Sequence, residues 1–137
     1  MNHWLLKTEP EAYSWDQLVK DKRTNWSGVR SPAGRANLMK MKTGDRAFFY
    51  HTGDERQIVG ICEVVKEHYP DPSDETGRFV MVDVKPVEKV PAPVTLAQVK
   101  AEKRLKDMRL VREGRLSVSP VTDAEWAIVA KMAGIKG

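Results

Sequence analysis

Thr43-Gly44-Asp45, then Ala47-Phe48-Phe49-Tyr50-His51, then Thr52-Gly53-Asp54-Glu55 form a turn, an aromatic run and a second turn. An apolar, aromatic segment bounded by such punctuation reads as a strand. Ile58 to Val65 follows, rich in β-branched residues, and Phe79-Val80-Met81-Val82-Asp83-Val84 is a third run of the same kind. Between the last two, Tyr69-Pro70-Asp71-Pro72-Ser73 predicts a loop, because proline offers no N–H to a strand ladder. The middle of the chain is therefore β.

Outward from that centre the signals turn helical. Ser14-Trp15-Asp16-Gln17 has the capping-box form, predicting a short helix to about Lys20. Ser31-Pro32 pairs an N-cap with proline at the first helical position and opens a second helix through Met41. Gly34 inside it costs up to about 1 kcal/mol. Thr95-Leu96-Ala97-Gln98 opens a helix to about Ala101, and Thr122-Asp123-Ala124-Glu125 opens one that closes at Gly134. His3 to Lys7 predicts a first strand, and Leu116-Ser117-Val118 a last one before Pro120. The expectation is one α+β domain over residues 1–137, a barrel-like sheet of mixed strands with short flanking helices.

Composition narrows the function. The 137 residues are 41% hydrophobic and 31% charged, as in an ordinary globular protein. No apolar run approaches the roughly 18 residues of a membrane span, and the N-terminus lacks the form of a secretory signal. Cys62 is the single cysteine, so no intrachain disulfide or thiolate cluster can form, and a reducing cytoplasm is the expected setting. His3, His51 and His68 show no metal-ligand spacing, so no metal is expected. Glycine-rich phosphate loops and nucleophile elbows are missing too, and no cofactor is expected.

The net charge is +4, but it is unevenly spread. Lys20 to Arg46 carries a local balance of +6 and Lys100 to Arg115 one of +4. Two such segments can converge on one polyanion-binding face. Trp126, on an amphipathic helix, and Trp15, behind Ser14, read as core anchors. Trp26 stands apart, in Asn25-Trp26-Ser27-Gly28-Val29-Arg30, where a large π-face lies near a glycine and an arginine. Packing against the sheet and stacking on an unstacked base are equal readings of that ring.

Ordered matches then run nearly end to end. They are Trp4-Leu5-Leu6-Lys7-Thr8-Glu9-Pro10, Trp26-Ser27-Gly28-Val29-Arg30, Gly44-Asp45 leading to Phe48-Phe49-Tyr50-His51, and Ile58-Val59-Gly60-Ile61. Tyr69-Pro70-Asp71-Pro72, Pro93-Val94-Thr95-Leu96, Leu110-Val111-Arg112 and Arg115-Leu116-Ser117-Val118 continue the series. Pro120-Val121-Thr122 and Glu125-Trp126 complete it. On these motifs the chain resembles the EVE-domain family of the PUA-like superfamily. The resemblance implies a small pseudo-barrel with a pocket for a flipped, modified base, and a nucleic-acid partner, DNA or RNA, that carries one.

Carried over by position, the resemblance implies that Lys7, Thr8 and Glu9 line one wall and Trp26, Val29 and Arg30 another. Phe49, Tyr50 and His51 would close the site, and Ser117 would come from the last strand; an aromatic partner such as Tyr50 is expected to sandwich the base against Trp26. Arg35, Asn37, Lys40, Arg112 and Arg115 are expected along the nucleic-acid backbone. After Gly-Val-Arg, however, the family's Asn-Tyr-Gln-Ala-Arg-Asn-Asn is replaced by Ser31-Pro32-Ala33-Gly34-Arg35-Ala36-Asn37, which removes a ring and two amides. Phe79 likewise stands where the family tends to have tryptophan.

A competing class is enzymatic: ASCH-type relatives resemble amidohydrolases that act on an acylated cytosine through Lys, Thr and Glu, as in Lys7-Thr8-Glu9. Strand alternation would put Lys7 and Glu9 on one face and Thr8 on the other, which disfavours such a set. A protein-interaction domain using an edge strand is the third class.

Overall fold

Turns on both sides of Arg46–His51 isolate the strand on which the sheet is built. In the structure, a computed structural model that describes residues 1–135, this strand is β3. It lies between β1 (His3–Thr8), parallel to it, and the antiparallel β4 (Gln57–Pro70). β4 forms a long hairpin with β5 (Val80–Thr95). The two-residue β2 (Thr24–Asn25) pairs with β5 at one edge, and β6 (Val118–Val121) pairs with β1 at the other. The result is α+β: a six-stranded mixed sheet in the order β2-β5-β4-β3-β1-β6.

Five short helices flank it: α1 (Trp15–Asp21), α2 (Pro32–Lys40), α3 (Leu96–Ala101), α4 (Arg109–Arg112) and α5 (Asp123–Met132). The Thr95 and Thr122 capping boxes form in full, each satisfying two helix-end donors reciprocally. Ser14 and Ser31 cap α1 and α2. Gly34 in α2 has a packing reason: a Cβ there would lie 2.6 Å from Val29 Cγ1.

Successive strand residues face opposite sides, so the sheet divides two cores. Trp4 and Leu6 of β1 join Ala47 and Phe49 of β3 in one, with Trp15, Trp26, Leu38 and Val82. Leu5, Phe48 and Tyr50 join Ile58, Val99 and Val129 in the other. Trp126 anchors the second core, its half-buried ring stacked between Phe48 at 3.9 Å and His3 at 4.3 Å.

Proline misled the sequence reading three times. Tyr69 and Pro70 belong to β4 rather than to the loop, which begins at Asp71. The last strand is Val118–Val121 and includes Pro120, while Ser117 is a bend before it. β5 also runs on through Pro86, Pro91 and Pro93. Each proline lies where its strand is open on one side: β6 is the sheet edge, β2 covers β5 only at Asp83 and Val84, and β3 pairs with β4 no further than Glu63. A missing N–H costs nothing on an open edge. β2, a 3₁₀ turn at Lys103–Leu105 and α4 were not foreseen.

Candidate functional site

β2 delivers Trp26 to the first core and then lets the chain turn. The Trp26 amide donates to the Val82 carbonyl (2.7 Å), and Gly28, at φ +81°, takes the left-handed conformation that frees the loop from the sheet. The indole is 7% exposed. Its ring meets Phe49 edge-on at 5.5 Å and Tyr13 edge-on at 6.4 Å. Its remaining exposed surface borders an open hollow of about 410 Å³, within the range of small-molecule sites. Packing and pocket lining, the two readings of Trp26, are thus both true of one ring.

The hollow sits at the C-terminal end of β1. Lys7, Thr8 and Tyr13 form one wall, residues 24–31 another, and Arg115 and Ser117 the third. Six of the ten expected ligand residues meet there: Lys7, Thr8, Trp26, Val29, Arg30 and Ser117. Glu9, Phe49, Tyr50 and His51 do not line it. Phe49 is fully buried under Trp26, and Tyr50, one residue on, faces the opposite core, so it cannot pair with Trp26 around a base. His51 is buried, accepting the Trp15 amide at Nε2 (3.0 Å) and meeting Glu55 through Nδ1 (3.0 Å). Glu9 is exposed beyond the end of β1.

Two residues that the sequence did not single out complete the site. Tyr13 precedes the α1 N-cap and places its ring in the wall, its hydroxyl donating to Asp21 (2.9 Å). Burial raises the Tyr13 pKa, so the phenol stays neutral. Asp71 lies behind the wall, 2% exposed. Its carboxylate accepts from the Gly28 amide (2.8 Å), Arg30 Nη1 (3.0 Å), the Ser73 amide (2.9 Å) and the Ser73 hydroxyl (2.6 Å). Burial opposes its ionisation, but these hydrogen bonds outweigh burial and hold the carboxyl well below the usual range. Phe79 stacks with the Arg30 guanidinium at 5.5 Å, so the loop after β4 buttresses the hollow. The signal for Asp71 was its place between two prolines.

Charge at the hollow has one sign. Lys7, Arg30 and Arg115 line it with no carboxylate among the lining residues. Arg30 is matched by Asp71 behind it, and its Nη2 donates to Ser73 (2.8 Å). Lys7 Nζ donates to the Gly114 carbonyl (2.7 Å) and lies 5.7 Å from the Tyr50 ring centre; burial lowers its pKa. The Thr8 hydroxyl donates to the Tyr13 carbonyl (3.0 Å). A second hollow adjoins the first, sharing Ser31 and Arg115 and adding Ala33, Arg112, Leu116 and one carboxylate, Glu113. The two basic segments therefore meet here.

Other residues expected along the backbone are partly engaged. Asn37 donates its amide to the Val118 carbonyl (2.7 Å), tying α2 to β6. Arg35 donates to the Arg78 carbonyl (3.3 Å), its guanidinium 6.0 Å from the Phe79 ring, while Lys40 is exposed at the end of α2. Arg112 pairs with Asp107 (3.0 Å). Among the described residues no cluster of His, Cys, Asp and Glu could hold a metal ion.

The family model described as "EVE domain" matches residues 2–132. The chain belongs to the EVE-domain family. Thymocyte nuclear protein 1 of Gallus gallus is 35% identical, over 95% of this chain and 68% of its own length. Among solved structures, Rpa0253 of Rhodopseudomonas palustris is 48% identical with TM-score 0.93, covering 98% of this chain and 94% of that one. Human thymocyte nuclear protein 1, solved in complex with DNA containing 5-methylcytosine, is 32% identical with TM-score 0.90 and full coverage of both chains. An ASCH protein of Zymomonas mobilis has TM-score 0.60 at 10% identity, a likeness of fold alone. In this EVE domain the Lys-Thr-Glu set of the enzymatic expectation is incomplete, because Glu9 lies outside the hollow that Lys7 and Thr8 line.

Proposed function

We propose that this EVE domain is a reader of modified nucleic acid, taking a flipped, modified base into the hollow beside Trp26. The observation that carries the reading is the hollow itself. It is open, roomy enough for a nucleobase, bordered by the indole and flanked by cations, in a chain whose relative was solved with 5-methylcytosine DNA. A base entering it would lie against Trp26 and Tyr13, whose rings stand at 88° to each other, so one ring stacks while the other gives an edge. Lys7 and Ser117 would meet the polar edge of the base, and Arg115 the sugar–phosphate chain.

Magnitudes make the phosphates essential. Stacking contributes about 1–3 kcal/mol per base and extrusion costs a few, so little net affinity remains without backbone contacts. The test is a titration of labelled oligonucleotides carrying cytosine or one 5-methylcytosine, at low and moderate salt. The modified probe should bind tighter, and affinity should fall steeply between about 50 and 200 mM salt. Trp26→Leu keeps an apolar filling under the sheet but removes the π-face, and should weaken the modified probe about tenfold. Equal affinity for both probes, or for both proteins, would end the reading.

A further inference from the structure

Two cations at this hollow lack an anionic partner. Lys7 is half-buried, and its ammonium is held by a neutral carbonyl, that of Gly114, the residue before Arg115. Arg115 borders both hollows and makes no ion pair among the described residues. The other arginines of the same basic segment, Arg104, Arg109 and Arg112, pair with Glu102, Glu113 and Asp107. The walls that carry Lys7 and Arg115 adjoin, since the Lys7 amide donates to the Ser117 carbonyl (2.9 Å). A desolvated ammonium without a counter-charge is unfavourable, and a bound anion relieves it.

We propose that Lys7 and Arg115 form an oxyanion subsite within the hollow, engaging a negatively charged oxygen group of the bound nucleotide. The inference rests on the base-reading function above and adds which ligands the hollow favours. Ser117, which also lines the hollow, adds a hydroxyl donor. Burial lowers the Lys7 pKa, and an anion beside it would act in the opposite direction. The oxyanion comes from one of two places: a carboxylate on the modified base itself, or a phosphate flanking it.

Single-stranded oligonucleotides with one central cytosine, 5-methylcytosine or 5-carboxylcytosine distinguish these sources. So do 5-methylcytosine probes with a neutral methylphosphonate at either flanking phosphate. They are titrated with wild type, Lys7→Met, Arg115→Gln and Trp26→Leu, and with Lys131→Gln as a control of equal charge change on α5. If the base supplies the anion, the carboxyl probe binds wild type about tenfold tighter than the methyl probe, and Lys7→Met abolishes that preference. If the backbone supplies it, one methylphosphonate weakens wild type about tenfold but leaves Arg115→Gln unchanged. Arg115 is exposed, so its variant reads the proposal even where Lys7→Met fails to fold.

The proposal is overturned if Lys7→Met and Arg115→Gln bind every probe like wild type, or if Lys131→Gln loses as much as they do. In that event Trp26→Leu separates the two claims. Weakened binding by that variant leaves base reading standing without the subsite, whereas unchanged binding removes both.

Discussion

Replacing Asp71 with asparagine tests how the hollow is held open. Asparagine keeps the shape and one acceptor oxygen but turns the other into an amino donor. That donor would face the Gly28 amide and Arg30 Nη1, both of which now donate to Oδ2 at 2.8 and 3.0 Å. Each buried donor left unmatched costs about 1–3 kcal/mol. Arg30 costs less than a fully buried partner, because its side chain is 40% exposed and regains water. The expected loss is about 2–4 kcal/mol, or a Tm lower by about 10 °C in a domain of this size. Thermal and urea unfolding at neutral pH measure it.

The pH dependence carries a sign. The folded pKa of Asp71 lies below the ordinary value of 3.8, so its carboxylate stabilises the fold fully above that value. The contribution is lost as pH falls through the ordinary range toward the folded pKa. The gap between wild type and Asp71→Asn should be constant from about pH 5 to 8 and narrow below about pH 4. A loss under about 0.5 kcal/mol at pH 7, or a gap unchanged at about pH 3, would refute this account of Asp71.

Other perturbations separate wall, core and helix end. Gly28→Ala meets no atom within 4 Å but forces a side chain into φ +81°, so it should cost about 1–2 kcal/mol and weaken ligand binding through the loop. Gly60→Ala instead drives a Cβ to 2.5 Å from the Trp15 indole; a loss of about 1–3 kcal/mol in urea unfolding is expected. Cys62 is fully buried, and burial pushes its thiol up to about 12, so an aromatic disulfide reagent should label it only at the rate of unfolding. Thr122→Ala removes one half of a capping box and should cost about 1 kcal/mol, read as a lower Tm.

Legibility in the sequence followed the range of the interaction. Capping boxes at Thr95 and Thr122 act over three residues and were readable letter by letter. The aromatic strand Ala47–His51 was equally plain, and its alternation implied that Phe49 and Tyr50 face opposite ways. The family resemblance nevertheless grouped them in one wall, and the pleat overrules it. Prolines 70, 86 and 120 hid strand residues, because a sequence does not announce which edge of a sheet is open. The site was legible where one loop supplies it, from Trp26 to Arg30, and at the end of β1. Asp71 was not, because it acts on Gly28 across 43 residues, a pairing that only the β4–β5 hairpin creates.

That long-range tie gives the domain a built-in order of assembly. The wall at Gly28 and Arg30 cannot be pinned until the hairpin has zipped to its far tip, so a nascent chain owns Trp26 long before it owns a binding site. Conversely, fraying of the tip alone would release the wall while the strands stay paired. Amide exchange at Gly28 should therefore report the opening of the 71–79 segment rather than of the whole domain.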